Sequence, residues 1–303
     1  MTGRGRAWRT AALMALALPL SGCASGLMDG LLGDSTTSTS AASSPSGLGG
    51  AVSPDLGMAG EGDAVAKLYN DGLASLQKGE FSSALKKFAE VERQYPYSAA
   101  ATKAILLEAY AHYQTGKFDD TKNDANRFIT LHPGHKDAPY AYYLIALSNY
   151  NQINDTKRDQ SATKDALTAL EEVQRRYPGT AYAEDAGRKA LMAKDHLAGQ
   201  EMEIGRYYYN HGSYLAGINR FKRVVIEYQN TTQVPEALYR LSEGYMALGV
   251  VSEAQTAAAV LGHNYPNSEW YKSAYQLVSS DGQAPQENQE SWISKAFHSL
   301  NPL

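Results

Sequence analysis

The chain has 303 residues, of which 28 are basic and 32 acidic, and its net charge is −4. No basic stripe is present that could neutralise a phosphate backbone, so the composition argues against nucleic-acid binding. Because the chain contains one cysteine, it cannot form an internal disulfide, and packing must hold the fold together.

The first 22 residues have the features of a secretory signal peptide. Three arginines precede an apolar run from Ala11 to Leu20, which at about ten residues is too short to span a membrane. The run ends in LSGC, which resembles the lipobox of bacterial lipoproteins, with Cys23 as the modified residue. A lone cysteine can also be a buried small hydrophobe or a reactive thiol, but its place directly after the apolar run favours lipidation. We expect cleavage after residue 22, a covalent lipid on Cys23 and no cofactor.

Residues 23–62 are predicted to form a flexible tether. The segment is rich in Gly, Ser, Thr and Pro and has few large apolar side chains, so it cannot bury enough surface to offset the entropy of ordering. Loss of residues 1–22 leaves 25 basic and 32 acidic residues, a net charge of −7. The mature protein is therefore expected to be acidic.

A repeat of 37 residues follows the tether. This spacing separates Gly79 from Gly116, Pro96 from Pro133, and Gly212 from Gly249. The first copy fills every anchor place of the tetratricopeptide pattern, which fall on Gly72, Gly79, Phe81, Ala84, Phe88 and Pro96. Each copy predicts a pair of helices joined by a tight turn, and the chain accommodates five such hairpins. We therefore predict an all-α solenoid, in which neighbouring hairpins complete a continuous core.

Two departures from the 37-residue period divide the array. The third copy closes 45 residues after the second, and the eight extra residues fall between Tyr150 and Ala166, where a charged loop is a more ordinary interpretation than a site. The segment Tyr182–Tyr209 is predicted to be one long helix, and the alternative is two helices broken near Gly199. We expect a two-part body, with repeats 1–3 in residues 63–180 and the linking helix with repeats 4–5 in residues 181–278.

The tail, residues 279–303, is predicted to be a disordered linker followed by a short amphipathic helix, Ser291–Leu300. Trp292, Ile293, Ala296, Phe297 and Leu300 would share one apolar face, with Ser291 as the N-cap. A helix of about ten residues is not stable alone in water, so it needs a surface. The candidates are the last repeat of this chain, a partner, or the lipid interface, and lipid is the least favoured because one lysine attracts little anionic lipid.

These features together resemble one family. The lipobox, the tether, five hairpins, the stretch YPYSAAATKAILLEAYAHYQTGKFDDTKNDANRFITLHPGH and the RDQ of the lengthened third turn are similar to the BamD family, lipoprotein subunits of the outer-membrane β-barrel assembly machinery. The similarity covers about Ala64 to Val278. It implies a non-enzymatic scaffold at the periplasmic face of the outer membrane. Its implied partners are the barrel-forming subunit, other lipoproteins of the complex and unfolded outer-membrane proteins.

The resemblance also suggests residue roles. Arg220, in GINRFKRVV, matches the arginine of the family's NR segment and is implied to lie near the contact with the barrel-forming subunit. Tyr69, Tyr110 and Tyr143 occupy first-helix positions that line the groove of tetratricopeptide arrays, so they are candidates for client binding in repeats 1–3. Packing between repeats is the alternative for each tyrosine.

Other functions remain open at this stage. The protein could be another periplasmic tetratricopeptide lipoprotein, such as a secretin pilotin or a regulator of cell-wall synthesis. A hydrolase with an accessory repeat domain is disfavoured, because no stretch of about 100 residues lies outside the repeats. The seven histidines are scattered, and no metal site is expected.

Overall fold

The computed structural model describes residues 62–153 and 159–298. The predicted signal peptide 1–22, Cys23, the tether as far as residue 61, the loop 154–158 and the last five residues lie outside the described part.

Every regular element in residues 62–153 and 159–298 is a helix, which confirms the predicted all-α class. In chain order the helices are α1 (Asp63–Gln77), α2 (Phe81–Gln94), α3 (Ala99–Gln114), α4 (Phe118–Leu131), α5 (Ala138–Tyr150), α6 (Ser161–Arg176), α7 (Ala181–Asn210), α8 (Tyr214–Glu227), α9 (Val234–Ala247), α10 (Val251–Asn264), α11 (Glu269–Ser280) and α12 (Trp292–His298).

The first ten helices form the five predicted hairpins, α1/α2, α3/α4, α5/α6, α7/α8 and α9/α10. Four turns contain a glycine with positive φ, namely Gly79 at 75°, Gly116 at 73°, Gly212 at 74° and Gly249 at 74°. L-residues with a side chain rarely adopt this backbone conformation, so the recurring glycine marks the turn in the sequence. The third turn holds the predicted insertion instead, between Tyr150 and Ser161.

Small residues set the close approach within a hairpin. A Cβ atom added at Gly72 of α1 would lie 2.6 Å from Cε1 of Phe88 on α2. Ala84 and Phe88 are fully buried at this contact. Gly205 on α7 and Phe221 on α8 repeat the arrangement, since a Cβ atom at Gly205 would overlap that ring. The first and fourth hairpins therefore pack through the same pair of repeat positions.

Successive hairpins pack through the second helix of one and the first helix of the next. The helices α2, α4, α6 and α8 contact α3, α5, α7 and α9, respectively, and the first helices of the first four hairpins also touch their neighbours. This packing gives the continuous core that the repeat pattern predicts.

α7 is one helix of 30 residues. The alternative of two helices broken near Gly199 is wrong. Near its start, Asp185 accepts a hydrogen bond from Tyr143 of the third hairpin. Near its end, Gly205 packs on Phe221 of the fourth hairpin. α7 therefore packs on the third hairpin and is itself the first helix of the fourth.

The tail does not behave as the predicted disordered linker. Residues 281–290 have irregular backbone but run along α10, where Gln255 Nε2 donates to Ala284 O at 2.9 Å. The amide of Asn288 donates to Thr256 Oγ1 at 3.1 Å. The polar composition of this segment predicts that water solvates it. Composition does not show that Gln255 and Thr256 of α10 form hydrogen bonds with its backbone.

α12 docks on the protein's own last repeats, packing against α10 and α8. Ser291 Oγ accepts a hydrogen bond from the amide of Ile293 at 3.1 Å, as expected of the N-cap. Ile293 is fully buried. Trp292 Nε1 donates to Tyr245 OH at 3.1 Å, and Lys222 Nζ lies 4.6 Å from the centre of the Trp292 indole. Of the three predicted surfaces, the structure therefore shows the chain's own last repeats.

Candidate functional site

Arg220 lies on α8 and binds a buried carboxylate of α7. Its Nη1 atom is 3.1 Å from Glu201 Oε2. The other oxygen, Oε1, is 2.8 Å from Nη1 of Arg223, one turn further along α8. The side chains of Arg220 and Arg223 are 36% and 46% exposed, whereas that of Glu201 is 10% exposed. Both guanidinium groups thus bind the buried carboxylate of Glu201 and remain partly exposed to solvent.

The packing of α7 on α8 explains how Glu201 reaches both arginines. Gly205, one turn after Glu201, brings α7 against Phe221 of α8. Glu201 therefore lies beneath the stretch of α8 between Arg220 and Arg223. The hydrogen bond to Glu201 raises the pKa of Arg223, so its guanidinium stays charged.

Sequence reasoning singled out Arg220 but not Glu201 and Arg223, with which the structure groups it. An arginine at i+3 from Arg220 was a usable signal, because residues with this spacing share a helix face. No comparable signal marked Glu201, because its partners lie far from it in the sequence. Arg220 follows it by 19 positions and Arg223 by 22.

A related cluster joins the first two hairpins. Arg127 on α4 binds Glu92 of α2 through both of its terminal nitrogens, and its Nη2 also lies 2.9 Å from Glu108 Oε2 of α3 and 3.4 Å from Asp124 Oδ1. Burial and the neighbouring Glu92 raise the pKa of Glu108 to about 9, outweighing the opposite effect of Arg127. In this cluster one arginine binds three acidic side chains of its own chain.

Two of the three tyrosines predicted to bind clients are buried. Tyr69 is 6% exposed, and its ring centre lies 6.0 Å from that of Phe88. Tyr143 is 3% exposed, donates its hydroxyl hydrogen bond to Asp185, and packs on Tyr182. Their rings fill space between helices, so the packing alternative describes Tyr69 and Tyr143.

Tyr110 is partly exposed, and so are Tyr113 on the same helix and Tyr150 on α5. Asn151 Nδ2 donates to Tyr113 OH at 2.9 Å, and Tyr150 OH lies 3.4 Å from Met192 Sδ. We call Tyr110, Tyr113, Tyr150 and Met192 the tyrosine surface. The client-binding role of Tyr110 stays a prediction.

Within residues 62–153 and 159–298, no three His, Cys, Asp or Glu side chains come together as a metal site would require. Over the same residues, none of the helices combines the length and the apolarity needed to cross a bilayer. Cys23 lies outside the described residues, so its lipidation stays a prediction.

The geometry defines a class of protein: a helical-hairpin solenoid of the tetratricopeptide type. Residues 62–261 match the family model described as "YfiO: Outer membrane lipoprotein". The chain belongs to this family. The match ends before α11 and α12, so these two helices lie outside it.

The chain is similar to proteins called "Outer membrane protein assembly factor BamD". It is 47% identical to the one from Caulobacter vibrioides over 221 residues, covering 73% of this chain and 72% of that protein. With the Rickettsia prowazekii protein the identity is 43% over 214 residues, covering 71% and 85%. A Neisseria meningitidis serogroup A relative is 33% identical over 222 residues, covering 70% and 83%.

Among solved structures, the chain is similar to a thermophilic TPR protein from Thermus thermophilus. The identity is 18% and the TM-score 0.34, over 69% of this chain and 98% of that one. The repeat assignment therefore rests on the turn glycines and helix contacts of this chain.

Proposed function

We propose that this protein is a non-enzymatic lipoprotein scaffold of the β-barrel assembly complex, facing the periplasm and held at the outer membrane by a lipid on Cys23. The observation that carries the proposal is the similarity, over 221 and 214 residues, to two proteins called outer membrane protein assembly factors. In this proposal, repeats 4–5 bind the barrel-forming subunit and other lipoproteins of the complex. Repeats 1–3 bind unfolded outer-membrane proteins.

The alternative is another periplasmic tetratricopeptide lipoprotein, such as a pilotin or a regulator of cell-wall synthesis. The names of the relatives favour the assembly scaffold. Depletion of the protein in its own host distinguishes the two functions: a scaffold predicts loss of many outer-membrane barrel proteins. Loss of pili or altered cell shape, with normal barrel proteins, would overturn the scaffold proposal.

The contact with the barrel-forming subunit is assigned to the surface of α8 around Arg220. Arginine pairs well with carboxylates because its planar guanidinium donates two parallel hydrogen bonds. Charge reversal in Arg220→Glu is expected to reduce recovery of the barrel-forming subunit from detergent-solubilised membranes, while helical content by circular dichroism is kept.

The matched control is Arg93→Glu. Arg93 pairs with Glu90 in the first hairpin and its side chain is 72% exposed, so the same charge change is made on a distant exposed pair. Equal recovery from the Arg220→Glu and control proteins would contradict the assignment.

Client binding is assigned to the tyrosine surface. Tyrosine offers a large apolar ring with a polar tip, which suits an extended segment containing aromatic residues. A photo-crosslinker at Tyr110 is expected to capture an unfolded barrel protein, whereas one at the fully exposed Tyr97 is not. Capture at Tyr97 but not at Tyr110 would place client binding elsewhere.

A further inference from the structure

The arginine pair of α8 differs from an ordinary surface ion pair. Glu201 offers one oxygen to each arginine, Oε2 to Arg220 and Oε1 to Arg223. A buried carboxylate with both oxygens engaged has little freedom to rotate, so it fixes the two guanidinium groups relative to each other. Surface ion pairs without such a common anchor hold their side chains weakly.

Most of the hydrogen-bond donors of the two arginines are unused within the protein. A guanidinium carries five N–H donors. Arg220 uses one, to Glu201, and Arg223 uses two, to Glu201 and to Glu227 at 3.2 Å. Among the residues that the structure describes, the other donors of these arginines have no acceptor. They are available to an acceptor outside the chain.

The cluster around Arg127 provides the contrast. Its single guanidinium is bound by three acidic side chains, one each from α2, α3 and α4. On α8 two arginines balance two carboxylates, Glu201 and Glu227. The Arg127 cluster is therefore satisfied internally and joins hairpins, whereas the α8 pair can accept another carboxylate.

We infer that Glu201 is a positioning residue, which holds Arg220 and Arg223 as one paired site for a carboxylate side chain of the partner subunit. This inference rests on the proposed contact of Arg220 with the barrel-forming subunit, and it adds Arg223 as a second contact residue. A carboxylate fits because its two oxygens accept parallel hydrogen bonds from arginine.

The decisive variant is Glu201→Gln. It removes a negative charge beside the site, and electrostatics alone would then strengthen binding to an acidic partner. If Glu201 acts by positioning, binding weakens instead. We expect the barrel-forming subunit to dissociate about tenfold faster from the immobilised, detergent-solubilised variant complex, the size of change that follows loss of one charge-assisted hydrogen bond.

Arg223 is tested by Arg223→Ala and Arg223→Lys. Both are expected to accelerate dissociation, because lysine keeps the charge but loses the planar fork. Full rescue by lysine would overturn the paired site. The controls are Glu108→Gln and Arg127→Ala, which alter the glutamate–arginine pair at the corresponding positions of the second hairpin and are expected to leave dissociation unchanged. Thermal melting of each variant separates loss of the fold from loss of the contact.

The outcomes separate this inference from the proposed function. If Arg220→Glu accelerates dissociation but Glu201→Gln and Arg223→Ala do not, the positioning role is wrong and the proposed contact stands. If Arg220→Glu also has no effect, the contact at α8 is itself wrong. If the controls weaken the complex as much as the α8 variants, the effect is one of stability and the positioning role is overturned.

Discussion

Single small residues decide how closely the two helices of a hairpin pack. Gly72 leaves space that the ring of Phe88 occupies, and Gly205 does the same for Phe221. Both rings are fully buried. Buried polar residues act at the same scale, because one carboxylate can hold two arginines, as Glu201 does.

The first prediction concerns the contact at Gly72. In Gly72→Ala the new methyl group would lie 2.6 Å from Phe88, so the helices must separate or the ring must shift. We expect a loss of about 1–3 kcal/mol in the free energy of unfolding, measured by chemical denaturation. Gly134→Ala is the control, since no atom lies within 4 Å of its added Cβ, and it should change stability by less than about 0.5 kcal/mol. Equal stabilities would mean that the contact is looser than described.

The second prediction concerns Glu108 and pH. Its pKa is raised from 4.5 to about 9 in the folded protein, chiefly by burial and by Glu92. The folded state therefore holds this proton more tightly than the unfolded chain does. The resulting contribution to stability is fully present below the unfolded pKa and is lost as the pH rises towards about 9.

The measurement compares thermal unfolding of the wild type and Glu108→Gln at several pH values between about 5 and 9. Because glutamine cannot titrate, the variant is expected to lose less stability than the wild type as the pH rises. The exposed Glu269→Gln serves as the control and should follow the wild type. Parallel curves for wild type and Glu108→Gln would show that Glu108 titrates normally.

At the scale of elements, two helices depart from the simple repeat. α7 is 30 residues long, and it packs on the third hairpin as well as forming the first helix of the fourth. α12 is a seven-residue helix that exists because α8 and α10 cover its apolar face. Repeat arrays need such covering at their ends, where the last hairpin would otherwise expose apolar surface.

The third prediction tests the docking of α12. Ile293 is fully buried, so Ile293→Ala is expected to cost about 2–4 kcal/mol and to lower the melting temperature. Lys295→Ala, on the exposed face of the same helix, should have little effect. Deletion of residues 285–303 should destabilise the protein as well. An unchanged melting temperature in both Ile293→Ala and the deletion protein would contradict a stabilising role for α12.

At the scale of the whole molecule, an acidic chain is proposed to work at a membrane surface. Without the signal peptide its net charge would be −7, so electrostatics would not draw it to anionic lipid. Membrane affinity must then come from the lipid proposed on Cys23. Each buried methylene of an acyl chain contributes about 0.8 kcal/mol, and stable anchoring needs more than one chain.

The fourth prediction is that Cys23→Ser releases the protein from the membrane. Serine lacks the thiol that carries the acyl chain, so the variant should appear in the soluble fraction after cell fractionation. Ser21→Ala, two residues earlier, keeps the cysteine and should stay in the membrane fraction. Wild-type recovery of Cys23→Ser in membranes would overturn the lipid anchor.

The hairpins, the turns and the long helix could be predicted from the amino-acid sequence alone. These features follow from local requirements: a positive φ at Gly79 and its counterparts, and a small residue where helices cross at Gly72. The turn glycine recurs after 37 residues in the first two repeats and again in the last two, so the sequence indicates it repeatedly.

The partners of each apolar face and of each charged side chain became known only from the packing of the helices. Helical periodicity placed Tyr69, Tyr110 and Tyr143 at similar positions, yet contacts with neighbouring helices bury Tyr69 and Tyr143 and leave Tyr110 partly exposed. The apolar face of α12 was predicted, but its docking on α8 and α10 was one of three possibilities. Glu201 carried no signal, because its role arises when α7 lies against α8. A periodic pattern specifies which side of a helix is apolar, whereas the partner of that side depends on segments distant in the sequence.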